Sequence, residues 1–127
     1  MEGLRPPEIR SLSAVTLSTS DMARAVRFYS ALGFAMAYGG ETSAFTSFRV
    51  GSAYLNLVRA DDQAPAGGWV RVIVYVDDVD AMYTHALAQG LTPEDRPRDA
   101  SWGERYFHVP APDGYSISFA RPLQEAG

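Results

Sequence analysis

The sequence predicts an α+β fold in which two βαβββ modules build a curved mixed sheet, and three observations carry that reading. The first is an internal repeat: Leu17-Ser-Thr-Ser-Asp21 and the amphipathic run to Gly33 return as Val74-Tyr-Val-Asp-Asp78 and a run to Gly90. Both are displaced by 57 (78 − 21 and 90 − 33). The second is punctuation. In each copy an alternating apolar stretch meets an Asp suited to capping a helix, and the helix ends at a Gly suited to a left-handed residue. The third is that three short β-prone segments follow each helix.

The elements follow in order. A first strand around Ala14 to Ser18 leads to a helix whose Met22, Ala25, Val26, Tyr29 and Leu32 share one face, a spacing that marks a core stripe. Strands are predicted at Ala35 to Tyr38, Phe45 to Val50 and Ala53 to Arg59, with Gly51-Ser52 as a two-residue hairpin turn. After a polar Pro/Gly linker the second copy opens on Arg71 to Tyr75, and its helix buries Val79, Met82, Tyr83 and Ala86. Its later strands are expected at Thr92 to Glu94, Arg105 to Val109 and Tyr115 to Arg121, with a turn at Asp113-Gly114. Arg59 and Arg121 close the copies at a displacement of 62 (121 − 59), so the second has gained five residues in its loops. The organisation expected is a single domain over 1–127, with module one at about 12–59, a linker at 60–68 and module two at about 69–121.

Composition bounds the chemistry. A chain of 127 residues with 46% hydrophobic residues suffices for one compact domain with a real core. Zero Cys excludes disulfides, thiolate metal sites and a cysteine nucleophile. All 11 basic residues are Arg, so no lysine is present for Schiff-base chemistry. The net charge of −4 (11 − 15) argues against nucleic acid as partner and is compatible with neutral or cationic small ligands. No apolar run reaches the roughly 18 residues of a membrane span, and the first ten residues lack a signal peptide's apolar stretch. A soluble cytoplasmic protein is expected, without membrane partner.

Three segments carry a family resemblance: Ala14 through Phe34 with its Phe28-Tyr-Ser-Ala-Leu-Gly-Phe34, Val76-Asp-Asp-Val-Asp-Ala81, and Pro112-Asp-Gly-Tyr115. They resemble the vicinal oxygen chelate superfamily of glyoxalases, extradiol dioxygenases and bleomycin-resistance proteins, over Leu12 to Arg121. The resemblance implies the two-module fold and a homodimer. In metal-dependent members His or Glu stands at four strand positions, which here fall on Ala14, Asn56, Arg71 and Ser118. The repeat checks that mapping, since 71 − 14 is 57 and 118 − 56 is 62. An alanine, a permanent cation and two weak neutral donors make a poor transition-metal site. Neither metal nor cofactor is expected, and the pattern is most similar to the metal-free bleomycin-resistance-like binders.

Strand parity describes what stands in the metal's place. Alternation puts Ala14, Thr16, Ser18, Tyr54, Asn56, Val58, Arg71, Ile73, Tyr75, Ser116, Ser118 and Ala120 on the concave face, and apolar Val15, Leu17, Leu55, Leu57, Val72, Val74, Ile117 and Phe119 toward the helices. A small, hydroxylated and aromatic face suits an aromatic ligand; the same face also reads as a wetted sheet surface or a dimer contact. If Phe107 and Val109 face the helix, Tyr106 and His108 point into the concavity, where His108 with Glu104 nearby suits a general base. Trp69 and Trp102 read equally as covers over the core; for Trp102, a similar Trp-Gly in the bleomycin-resistance proteins implies ligand stacking. Tyr38, Phe45 and Phe48 are further candidate walls. Arg71 suits an anion anchor, or a strand-start residue paired to an acid such as Asp61. His85 falls on a solvated flank, and the Asp61-Asp62 and Asp77, Asp78, Asp80 clusters are explained by turns and caps.

The candidate ligand-binding set is therefore Thr16, Tyr54, Asn56, Arg71, Tyr75, Trp102, Tyr106, His108 and Ser118. The function expected is binding of an aromatic or glycopeptide-type antibiotic or metabolite by a homodimer, in sequestration or self-resistance. The alternatives are a metal-independent isomerase, cyclase or lyase using Arg71 with His108 or Tyr75, and a binding subunit for another protein's intermediate.

Overall fold

A computed structural model describes residues 5–60 and 70–123. The first module runs β1 (Ala14–Thr19), α1 (Met22–Leu32), β2 (Ala35–Tyr38), β3 (Phe45–Val50) and β4 (Ala53–Arg59). The second runs β5 (Arg71–Tyr75), α2 (Val79–Ala88), β6 (Arg98–Asp99), β7 (Glu104–Pro110) and β8 (Ser116–Pro122). Each module forms a four-stranded mixed sheet, ordered β1-β4-β3-β2 and β5-β8-β7-β6. The first strand of each module lies parallel to the last, and the remaining pairs are antiparallel. The architecture is thus the α+β fold of two βαβββ units that the repeat predicts. The linker, with Asp61, Asp62 and Trp69, lies outside the described residues.

Both helices begin and end as their punctuation demands. The Asp21 carboxylate accepts from the Arg24 N–H at 3.1 Å, and Asp78 accepts from the Ala81 N–H at 3.0 Å. Gly33, at φ 105°, ends α1 with its own N–H on the Ser30 carbonyl and that of Phe34 on the Tyr29 carbonyl. That left-handed geometry carries no steric penalty for glycine. The five α1 residues of the expected stripe are all buried, while in α2 Val79 and Ala86 are buried and Met82 and Tyr83 pack against the core.

Apolar strand residues meet those helices. Leu17, Leu55, Leu57, Phe107, Val109, Ile117 and Phe119 are at most 3% exposed, and the two sheets share one aromatic core through Phe34, which meets Phe48 and Phe119 at 6.2 and 6.3 Å. Phe48, a candidate ligand wall by sequence, is therefore core, whereas Tyr38 and Phe45 pair at 6.1 Å on an exposed surface. Polar hooks also join the modules. The Tyr115 hydroxyl accepts from the Ser18 N–H at 3.0 Å, Asp113 accepts from the N–H and hydroxyl of Ser20, and the His85 Nε2–H donates to the Ala31 carbonyl at 2.8 Å.

One strand differs from expectation. The sixth lies at Arg98–Asp99 instead of Thr92 to Glu94. Pro93 and Pro97 remove ladder donors from the intervening segment. That segment binds β7 through isolated bonds, Glu94 N–H to the His108 carbonyl and His108 N–H to the Asp95 carboxylate, both 2.9 Å. At the β7–β8 turn five residues, 111–115, separate the paired Pro110 and Ser116, against two at Gly51-Ser52 in the first module.

Candidate functional site

The face of the second sheet turned away from the helices carries a cavity of about 200 Å³, lined by Arg71, Ile73, Trp102, Glu104, Tyr106, His108, Ser118 and Ala120. Strand alternation brings them together: Phe107 and Val109 are buried toward the helices, so Tyr106 and His108 of β7 project the other way. Five of the nine sequence-selected residues, Arg71, Trp102, Tyr106, His108 and Ser118, line this cavity, and Tyr75 joins them through Glu104.

The walls are stacked rings. Trp102 lies over Tyr106 at 5.7 Å with planes 28° apart, and Tyr106 meets His108 at 5.0 Å. Arg98 supports Tyr106, its guanidinium 5.3 Å from the ring centroid and its Nε donating to the hydroxyl at 3.0 Å. Glu104 holds the upper end. One carboxylate oxygen accepts from the Trp102 indole N–H at 3.0 Å and the other from the Tyr75 hydroxyl, a bond that holds the Tyr75 phenol above its ordinary pKa.

At the other end the His108 Nδ1 and the Ser118 hydroxyl share a hydrogen bond. Burial, then the nearby positive charge of Arg71, push the His108 imidazole below its ordinary pKa, so it is neutral at pH 7. The Arg71 Nε donates to the Ser116 hydroxyl at 3.3 Å, and among the described residues no acid pairs with its guanidinium. The expected alternative partner, Asp61, is outside them.

The remaining three selected residues stand apart, on the sheet of the first module. The Asn56 amide donates to the Thr16 hydroxyl at 3.2 Å, and Arg49 lies 5.0 Å from the centroid of the Tyr54 ring. None of the three lines the cavity. Sequence reasoning placed all nine on one surface; the chain has two sheets, and their open faces are furnished separately. It did not select Glu104 as the clamp or Arg98 as the support. The alternation of β7 signals Glu104, in step with Tyr106 and His108, whereas Arg98 belongs to the strand whose position the sequence obscured.

The four positions at which metal-dependent relatives would carry ligands do not fit a transition metal. Ala14 has no donor, Arg71 is a cation, the Asn56 amide is engaged with Thr16, and Ser118 is engaged with His108. Among the described residues no three His, Asp or Glu side chains converge elsewhere. A larger open cleft of about 540 Å³ lies on the helix side, between α1 and the loop after α2; beyond Arg24 and Arg27 it gathers no ionisable group.

The chain belongs to the Glyoxalase/Bleomycin resistance protein/Dioxygenase superfamily, whose profile matches residues 11–119. Solved structures share the fold. TioX from Micromonospora sp. ML1 is 26% identical with a TM-score of 0.73, covering 90% of this chain and 100% of its own. Lactoylglutathione lyase from Agrobacterium tumefaciens is 22% identical, TM-score 0.71, covering 91% and 94%. A bleomycin resistance determinant encoded on the transposon Tn5 is 18% identical, TM-score 0.71, covering 91% and 100%. Comparison with curated proteins finds no match. Among the described residues no helix is long and apolar enough to cross a membrane.

Proposed function

We propose that this chain is a metal-free small-molecule binding protein whose ligand is aromatic, serving drug sequestration or self-resistance in the cytoplasm. The observation that carries the reading is the ring ladder of Trp102, Tyr106 and His108 along one cavity, ending at a guanidinium without an acidic partner among the described residues. Rings supply area and stacking, and a few fixed polar groups set orientation, which is how small-molecule sites are commonly built. The bleomycin resistance determinant among the fold's neighbours supports the ligand class, and the misfit of Ala14, Asn56, Arg71 and Ser118 to a metal supports the metal-free reading.

The test is recovery. Titration with planar aromatic and bleomycin-type compounds is expected to quench tryptophan fluorescence saturably, with the compound recovered unchanged. Elemental analysis is expected to find no stoichiometric transition metal; one Zn, Fe, Mn or Ni per chain overturns the reading.

A second reading, a metal-independent isomerase, cyclase or lyase, is favoured by His108, which is neutral, bonded to Ser118 and close to Arg71. A neutral imidazole beside a fixed cation suits a general base working next to developing negative charge. Chemical alteration of the bound compound would favour it. The open faces also leave Tyr38, Ile73, Tyr75 and Trp102 each at least 60% exposed, and we propose that a homodimer covers part of that apolar surface. Light scattering at the 13.8 kDa mass of one chain would refute the dimer.

A further inference from the structure

The cavity is polar at both ends, in opposite senses. Strand register orders the side chains along β8: Ser116 pairs with Arg71, Ser118 with Ile73 and His108, Ala120 with Tyr75 and Tyr106, and Pro122 with Glu104; Ser116, Tyr75 and Pro122 stand outside the cavity's lining. Four rungs result. The lowest carries a guanidinium, the middle two carry imidazole and phenols, and the uppermost carries a carboxylate. Ser116 and Pro122 are six residues apart (122 − 116), roughly 20 Å of strand before the side chains reach inward.

The two ends differ in what they have left to bind. At Glu104 each carboxylate oxygen already accepts a hydrogen bond from the protein, one from Trp102 and one from Tyr75. At Arg71, among the described residues, only Nε is used, by a neutral hydroxyl, and both Nη groups are left for a ligand. An arginine fork matches the two oxygens of a carboxylate, and a cation without an acidic partner among the described residues gains from an anion. Its neighbour His108 is neutral, and Glu94, Asp95 and Arg98 near that imidazole are not part of the lining, so Arg71 is the charged side chain that lines this end. The chain's net charge is −4, so the attraction for an anion is a local property of this end. Between the ends, Ala120 is the small residue flanked by two tyrosines. A cavity of about 200 Å³ encloses one ring, given that roughly 150 Å³ suffices for benzene, and the exposed Trp102 wall leaves space for a second fused ring to project.

We infer that the ligand is a planar aromatic anion of one or two fused rings, its carboxylate forked onto Arg71 and its ring over Ala120, against Tyr106 and Trp102. This rests on the cavity being the ligand site proposed above, and it adds the charge and size of what the site selects.

Calorimetric titration with 6-hydroxy-2-naphthoate and its neutral isostere 6-hydroxy-2-naphthamide tests it. For the wild type the carboxylate is expected to bind at least about tenfold more tightly than the amide. In Arg71→Gln that preference is expected to vanish, the carboxylate losing at least about tenfold more affinity than the amide. Arg71→Lys, which keeps the charge and loses the fork, is expected to recover part of it, and melting temperatures near wild type separate lost selectivity from lost fold. Amide binding as tight as carboxylate binding, at a site that still saturates, overturns the anionic class and leaves the aromatic site standing. Failure of both compounds to bind overturns the site and the inference with it.

Discussion

Trp102→Ala separates a binding wall from a structural cover, because the two roles predict opposite ratios of lost stability to lost affinity. Trp102 is 68% exposed, so folding covers about a third of it. With roughly 150–250 Å² for a fully buried aromatic side chain, a third is about 50–80 Å². At about 25 cal/mol/Å² that gives about 1–2 kcal/mol, an upper bound because the unfolded chain is itself partly collapsed. About 1 kcal/mol, or about 4 °C in melting temperature for a chain of this size, is the expected loss. Affinity is expected to suffer more. A ligand ring in the cavity that meets the indole loses about 0.5–1.5 kcal/mol of ring–ring contact as well as the area it covered, together about 2 kcal/mol, or about thirtyfold in Kd. Scanning calorimetry paired with calorimetric titration of 6-hydroxy-2-naphthoate reads both quantities on one sample, and Trp102→Phe is expected to restore most of the binding. A melting-temperature drop beyond about 10 °C with affinity unchanged would refute the reasoning and make Trp102 a cover.

Three further outcomes follow from the geometry. Gly39→Ala is expected to lower the melting temperature clearly more than Gly51→Ala: both have positive φ, but a Cβ at Gly39 meets the Phe45 carbonyl at 2.3 Å, while one at Gly51 meets nothing within 4 Å. Equal effects in thermal scans would show that the start of β3 yields freely. Tyr29→Phe is expected to be neutral or stabilising by up to about 1 kcal/mol, because the Tyr29 hydroxyl is buried without a partner among the described residues and burial pushes its pKa up; urea unfolding with an unchanged slope checks this, and a loss above about 1 kcal/mol would contradict it. The lowered His108 pKa gives a pH dependence of known sign. The unfolded chain protonates first, so this contribution to stability is fully present above about pH 6.5 and is lost as pH falls from there through the folded value. The wild-type stability curve minus that of His108→Gln is expected to slope accordingly, and a flat difference would place the imidazole in open solvent.

Helices and core were legible because their signals are local and redundant. Asp21 and Asp78 cap where alternation gives way to a helical period, and Gly33 ends its helix with the φ only glycine takes cheaply. Thr92 to Glu94 misled because a β-branched residue outweighed Pro93, whereas the real edge strand, Arg98–Asp99, has no β-forming residue at all. Tertiary bonds hold it there: Arg105 bridges Asp99 and Asp80, and Arg98 leans on Tyr106. Parity found Arg71, Tyr106 and His108 because Phe107 and Val109 fix the inward direction. It could not separate them from Thr16, Tyr54 and Asn56, since alternation assigns a side of a strand and not which sheet that strand joins. The hook from Tyr115 to Ser18 spans 97 positions and has no sequence signal.

Ala120 gives this arrangement a consequence for how its selectivity can change. Buried on the central strand between Tyr75 and Tyr106, it donates no side-chain hydrogen bond and carries no charge, yet its missing bulk is the width of the slot. Valine or leucine there would fill the space and leave the guanidinium, the rings and the carboxylate clamp in place. In the proposed site capacity and chemistry therefore sit at different positions, and substitution of Ala120 alone would change the size of ligand accepted while every polar group stays in place.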